Sequence, residues 1–505
     1  MQLVSPAYYV EAREEGALKM RVNITHQQTL GLHLLSEDQL EQIHYGTLEV
    51  LERTGVKVHE KEALELLHGA GARVEGNLVK IPAWLVERAL ATAPSRVGLA
   101  ARDGSRALSL EKGNIYYGTG SETPFTIDIN SGERRRTVKA DVCNAARLAD
   151  ALKNIDFVMA LALAYDVPLA SADVHQFEAM LLNTTKPICF TTYDRRGLLD
   201  IIEMAELAAG GAEALREKPN LIHYAEPTAP LQHTREALEK LITCAAERIP
   251  VVYASVVMLG ATGPVTMAGA LVVANAEILS GLVIHQLKAP GAPFIYGGGI
   301  PPMDMTTSIC SYGAPERDLG CSALVRLSQY YNLPSFTTAG CSDAHRFDQQ
   351  AGMEAGFNLL ISGLAGGNLI HDLGYMGVGM TSCLEYVLLC DEAAGAVKHL
   401  LRGVAVNPET LALDLIEKVG PGGHFLSEEH TARHFRQEMY FPKTLNRDNY
   451  DGWLAGGGKT FDQKANERVK EILAQHTVPP LPPEVVKEIK SISARSRQPG
   501  KPAPG

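Results

Sequence analysis

Pro250-Val-Val-Tyr-Ala-Ser255 is a short apolar run that gives way to Met258-Leu-Gly-Ala-Thr262-Gly-Pro, then to a long helix-like stretch over 265–286, then to a second apolar run, Pro293-Phe-Ile-Tyr296. An apolar strand without polar alternation needs cover on both faces, as in a parallel sheet flanked by helices. Working outward, six further runs repeat the pattern, at 115–118, 155–163, 187–192, 221–225, 335–338 and 368–371. Each stops at a small or polar cluster and is followed by a helix-like stretch. Eight such units over roughly 250 residues predict an α/β chain folded as a (β/α)8 TIM barrel, whose chemistry sits on the loops after the strands.

The flanks set the remaining domain boundaries. Residues 1–110 are expected to form an N-terminal helical subdomain, with helices over 36–55 (opened by the Ser36…Gln39 capping signal), 60–75 and 82–93. The barrel is assigned 111–375. After its first strand, Phe125-Thr-Ile-Asp-Ile129, the turn Asn130-Ser-Gly-Glu133 and Arg134-Arg-Arg-Thr137 predict an inserted β-hairpin. Residues 376–505 read as a helical extension whose tail, rich in Pro, Lys and Ser from Val478, is expected to be partly disordered.

Composition narrows the function. The 505 residues are 46% hydrophobic and 21% charged with a net charge of −11, which argues against a nucleic-acid partner needing a basic stripe. Eight cysteines carry no CxxC spacing, so neither a disulfide framework nor a structural zinc site is indicated. The N-terminus lacks a signal-peptide pattern and no apolar run reaches the ~18 residues of a membrane span, so a cytoplasmic protein without a membrane partner is expected.

The strand ends collect tyrosines and carboxylates but few cations. Tyr117, Tyr193, Tyr224, Tyr296 and Tyr375 fall there with Glu122, Glu226 and Asp343. Aromatic faces with nearby carboxylates hold a quaternary ammonium by cation–π and Coulomb attraction. Gly298 lies in the run Gly297-Gly-Gly, which suits close backbone approach to a bulky ligand but lacks dinucleotide-binding spacing. No P-loop is present, no lysine ends any of the eight runs, and Gly120-Ser121-Glu122 lacks the following glycine of a serine nucleophile elbow. His371-Asp372 lacks the companion ligands of a catalytic metal, so no metal is expected.

Tyr117-Gly-Thr-Gly-Ser121, Asn183-Thr-Thr-Lys-Pro187, Ala339-Gly-Cys-Ser-Asp-Ala344 with Gln350-Ala-Gly-Met-Glu354, and Ala365-Gly-Gly-Asn-Leu-Ile-His-Asp-Leu-Gly-Tyr375 together resemble the trimethylamine methyltransferase family, over roughly residues 30–475. The resemblance implies a TIM barrel that passes a methyl group from an amine to the Co(I) centre of a separate corrinoid (cobalamin) protein. The archaeal members carry pyrrolysine near the segment that here reads Thr338-Ala-Gly-Cys341-Ser-Asp343, and this chain has only standard residues. It is therefore similar to the branch without pyrrolysine, which demethylates quaternary amines, with glycine betaine the first expectation. On that reading Glu226, Asp343 and His371 are catalytic or orienting groups, and Tyr117, Glu122, Tyr193, Tyr224, Tyr296, Tyr375 and Gly298 bind substrate. The corrinoid would ride on the partner, this chain would bind no cofactor, and a homo-oligomer is expected. A zinc-assisted methyltransferase needing a His/Cys/Cys set and a non-catalytic betaine-binding protein are the alternatives.

Overall fold

A computed structural model describes residues 31–496, apart from His33 and Lys112. Eight parallel strands form one sheet: β1 (Tyr116–Thr119), β2 (Ile155–Phe157), β3 (Ile188–Phe190), β4 (Leu221–Ala225), β5 (Val251–Val256), β6 (Phe294–Gly299), β7 (Ser335–Thr338) and β8 (Leu369–Leu373). From β3 to β8 each pairs with the next, β8 pairs with β1, and β1 pairs with β2. The last seam, β2 to β3, closes through the Val158–Ile188 bridge and the 2.9 Å bond from Cys189 N–H to Val158 O. The helices between and after the strands are α1 (Lys139–Ala151), α2 (Ala172–Asn183), α3 (Arg195–Ala209), α4 (Arg235–Glu247), α5 (Met267–Lys288), α6 (Pro315–Tyr330), α7 (Gln349–Ala365) and α8 (Leu384–Leu401). The barrel read from the eight apolar runs is the fold.

Two-residue alternation sorts the strand side chains. Phe157, Ile222, Val252, Ile295, Phe336 and Leu369 form the cluster inside the barrel. Their neighbours Leu221, Val251, Phe294, Tyr296 and Ile370 belong to the larger cluster between strands and helices. Helix α5 is apolar on nearly every side, because the barrel strands cover one face and the helices Glu37–Glu49 and Ala83–Thr92 cover another. That sandwiching explains why its length and composition alone would suit a membrane span.

The N-terminal region is less purely helical than expected. Ser36 and Gln39 do cap the helix Glu37–Glu49 reciprocally, at 3.3 and 3.0 Å. The helix predicted over 60–75 stops at Gly69, however, because Gly71 takes a left-handed φ of +98° and turns the chain into Arg73–Glu75 and Leu78–Lys80. Those two strands, Val56–Val58 and Gln232–His233 make a small four-stranded sheet. A second antiparallel pair, Val97–Ala100 with Ala107–Leu110, sends Val97, Leu99, Leu108 and Leu110 into the barrel interior and plugs its lower end.

The hairpin after β1 is present as Phe125–Ile127 paired antiparallel with Arg134–Arg136. The helical extension after the barrel is also present. Within its tail, Pro483–Arg495 is a helix that packs on α2 and α3 with Ile489 and Ile492 buried, and the end on which the expected disorder falls, 497–505, lies outside the described residues.

Candidate active site

The carboxyl ends of the strands surround a cavity of about 120 Å³. Pockets for drug-sized ligands are commonly ~300–1,000 Å³, so this one suits a small molecule. Met159, Ala254 and Phe336 form apolar floor and wall, and Tyr224, Tyr312 and Tyr375 add aromatic rings. Glu226, His371, Asp372, Thr338 and Arg317 supply the polar groups.

Residues i and i+2 on one strand share a face, so Tyr224 and Glu226 both point into the lumen, and the Tyr224 hydroxyl donates to Glu226 Oε1. Glu226, one residue past the end of β4, lines the funnel and stays accessible to solvent, as does Val256 beside it, 41% exposed. Burial pushes the Glu226 carboxyl above its ordinary range, against the opposing pull of the Tyr224 bond and of His371. The His371 ring lies 4.3 Å from Phe336 and 6.2 Å from Tyr224 by centroid.

Asp372 follows His371 at a register shift in the β8–β1 pairing, and its φ of +81° is left-handed. A non-glycine residue there stores strain of order 1–3 kcal/mol, which surrounding contacts must hold. Arg317, in the first turn of α6, supplies one: its Nη2 donates to Asp372 Oδ2 at 2.9 Å and also to the Thr338 hydroxyl. Its Nη1 donates to Cys341 Sγ at 2.7 Å, and the guanidinium lies 4.5 Å from the Tyr312 ring centre. His371 Nδ1 is 2.9 Å from Asp372 Oδ1, an ion-pair distance without hydrogen-bond alignment. Burial alone would raise the Asp372 carboxyl, but His371 and Arg317 outweigh it and hold it below its usual range. Tyr375 is seated by Gly120, where a Cβ would come within 2.3 Å of the ring, and its hydroxyl is 2.7 Å from Ser121 Oγ.

Of the residues chosen from sequence, Tyr224, Glu226, Gly298, His371 and Tyr375 meet at this cavity. Others do not. Tyr117 and Tyr296 have the wrong strand parity: each points outward, the first donating to Leu359 O at 3.1 Å and the second to Asn275 Oδ1 at 2.9 Å. Tyr193 is half exposed on the loop after β3 and outside the cavity lining. Glu122 is one position beyond the lining residue Ser121, turned to accept from Thr191 Oγ1 at 2.6 Å and Gln176 Nε2 at 3.1 Å. Asp343 acts one step back: it accepts from Tyr312 N–H at 2.8 Å and Ser311 Oγ at 2.5 Å, fixing the loop that carries Tyr312. Sequence reading missed Arg317 and Tyr312. A signal existed for the first: a cation in the opening turn of a helix opposes the helix dipole, and such a position asks for a local anion. Among the described residues no three His, Cys, Asp or Glu side chains gather as a metal-binding set, so the His/Cys/Cys cluster of the zinc alternative is not assembled.

A family model described as trimethylamine methyltransferase matches residues 9–500. A trimethylamine methyltransferase of Desulfitobacterium hafniense is 36% identical over 475 residues, 94% of this chain and 96% of that protein. A glycine betaine methyltransferase from another strain of the same species is 33% identical over 465 residues, 92% of this chain and 97% of that protein. The crystal structure of the Methanosarcina barkeri monomethylamine methyltransferase aligns with a TM-score of 0.49 at 10% identity, covering 88% of each chain.

Proposed function

The chain belongs to the trimethylamine methyltransferase family, and within it we propose that this enzyme moves a methyl group from a quaternary amine, glycine betaine or a related betaine, to a corrinoid protein. The observation that carries the reading is the cavity itself, where three tyrosines and Phe336 stand beside one accessible carboxylate, Glu226. Rings of this kind hold an onium group by ~0.5–2 kcal/mol each. The charge on nitrogen disappears as its methyl departs, so a tight carboxylate clamp would favour the bound ground state over the transition state. A carboxyl raised by burial, with aromatic faces bearing most of the affinity, avoids that. Arg317 lines the cavity already paired with Asp372, and a betaine carboxylate would share that guanidinium.

The corrinoid is proposed to belong to the partner, with no cofactor held by this chain. The rim offers apolar side chains on which a corrin ring face could rest: Tyr193, Val265, Met305, Ile309 and Met380 stand exposed on the loops after β3, β5, β6 and β8. When docked, the partner's Co(I) supplies the nucleophile. The chain's residues then need only aim one methyl at the opening and keep water from the floor. The C–N bonding pair remains on nitrogen, so no proton has to move and no general base is required.

The test mixes the purified protein with a reduced corrinoid protein and a panel of amines, following the visible spectrum of the corrinoid. Turnover with glycine betaine or another betaine is expected. Spectral change with trimethylamine alone, or with no quaternary amine, overturns the reading.

A further inference from the structure

Helix α5 is apolar along most of its length, yet it carries a fully buried carboxylate, Glu277. Its partners are neutral donors: Oε2 accepts from Ser255 Oγ at 2.5 Å and Oε1 from the Leu231 N–H at 2.7 Å. A buried carboxylate held by neutral donors costs stability relative to an apolar side chain of similar size. Its presence is explained by what the two donors belong to.

Leu231 lies on the loop leaving β4, and the first residue of that loop is Glu226. In the intervening Glu226-Pro-Thr-Ala-Pro230-Leu231 two prolines have fixed φ, so a constraint at Leu231 is carried to Glu226. Leu231 is itself left-handed at φ +57°, a conformation that a residue with a side chain keeps only when it is held. It is held from two sides, by Glu277 on its N–H and by the Lys57 N–H donating to its carbonyl at 2.9 Å. Inside the loop Thr228 and Gln232 exchange backbone bonds of 2.7 and 3.1 Å. Two residues on, His233 is pinned to the same helix. Ser280 donates its hydroxyl proton to Ala276 O at 2.7 Å, so its Oγ accepts from His233 Nε2 at 2.8 Å. His233 Nδ1 then accepts from the Tyr253 hydroxyl at 2.6 Å. The other donor to Glu277, Ser255, sits on β5 between Ala254 and Val256, both of which line the cavity. From behind the barrel wall, Glu277 thus ties the Glu226 loop to the neighbouring strand.

We propose that Glu277 is a positioning residue for Glu226: it touches no substrate, and through Leu231 and the prolyl loop it sets where the Glu226 carboxylate stands beside the onium group. The proposal rests on the reading of the cavity as an onium site. Ser255 holds the Glu277 carboxylate in one orientation, so the acceptor offered to Leu231 cannot swing away. A glutamine in its place would keep an oxygen for the Leu231 N–H and could donate its amide to Ser255 Oγ. The role therefore asks for the shape of the side chain and not for its charge.

Calorimetric titration with tetramethylammonium, which carries the onium group of any betaine, reads this at a pH above the range in which Glu226 titrates. Glu277→Ala should weaken binding by about 2- to 10-fold, the whole of what a partly solvated Glu226 charge contributes. Glu277→Gln should recover most of the loss. The double variant Glu277→Ala with Glu226→Gln should bind no more weakly than Glu226→Gln alone, because both changes remove one interaction. Unchanged affinity in Glu277→Ala overturns the inference, even if urea stability falls. So does a glutamine that behaves like alanine, or losses that multiply in the double variant. If Glu277→Ala fails to fold, Glu277→Asp, one methylene shorter and out of reach of Leu231, takes its place under the same criteria. A wild type that binds no onium overturns the reading of the cavity and this inference with it, whereas binding that all variants share overturns the positioning role alone.

Discussion

The lower and upper halves of the barrel interior obey the same two-residue alternation and are filled with opposite chemistry. On β4 the inward series climbs from Ile222 to Tyr224 and then to Glu226 just beyond the strand; on β7 it goes from Phe336 to Thr338; on β8 from Leu369 to His371. Below, the hairpin residues Val97, Leu99, Leu108 and Leu110 complete a dry core. Above, a left-handed Asp372 and a buried guanidinium surround an accessible cavity. One step of two residues along each strand separates a region built for stability from one built for binding. The lower half can be packed for volume alone, whereas every upper polar group needs a partner.

The hardest test of that division is Arg317→Met. It leaves Asp372 buried without its guanidinium partner, a loss of about 3–5 kcal/mol in stability. Betaine turnover should fall at least ~100-fold, since the substrate carboxylate also loses its donor. Urea unfolding and corrinoid-coupled turnover measure the two effects. Adding Asp372→Asn should restore part of the stability and none of the turnover. Recovery of both would mean that the pair serves the fold alone and that the upper half is not specialised.

Leu108→Ala probes the other half. Removing a fully buried leucine from the plug should cost about 2–4 kcal/mol in urea unfolding, with kcat unchanged at temperatures where the protein stays folded. A tenfold fall in kcat without unfolding would erase the distinction between the two ends.

Tyr375→Leu should weaken substrate binding by about 0.5–2 kcal/mol, roughly 2- to 30-fold, by removing one aromatic face. Calorimetric titration with glycine betaine reads it. Gly120→Ala should mimic the effect from the opposite side, because its methyl would displace the Tyr375 ring. Unchanged affinity in both would take Tyr375 out of the cage.

The same comparison explains what the sequence made legible. The eight runs are read correctly because a strand buried on both faces must be apolar along its length, whatever its register, and Leu221–Ala225 and Ser335–Thr338 fall where the pattern puts them. The small sheet at 56–80 was hidden because its strands are three residues long and only Gly71 and Gly76 mark the turns. Within the site, position near a strand end is visible in a sequence but parity is not, because parity depends on where each strand enters the barrel. Tyr224 and Tyr296 look alike from sequence; the first faces the lumen and the second α5. Arg317 escaped because it reaches the cavity from a helix, across the gap from β6 to β8, by a contact between residues 55 positions apart.

Glu226→Gln carries the smallest expected effect and discriminates most finely. Burial is the main reason the Glu226 carboxyl is raised, and Lys240, His371 and Asp372 face it with the Tyr224 hydroxyl. Its negative charge is therefore present only above the ordinary carboxylate range. Affinity for an onium substrate should rise as pH climbs through that raised value, by a factor of about 2–10 for a partly solvated charge. The variant should bind with the wild type's low-pH affinity at every pH. Folding responds with the opposite sign: a carboxyl raised in the folded state favours the fold at lower pH, and that contribution is lost as pH rises from the unfolded value through the folded one. Binding and stability of the wild type should thus diverge over one pH window above the ordinary carboxylate range, and both slopes should flatten together in the variant. Parallel slopes in wild type and variant would mean that another group titrates, and would move the charge of the upper half away from β4.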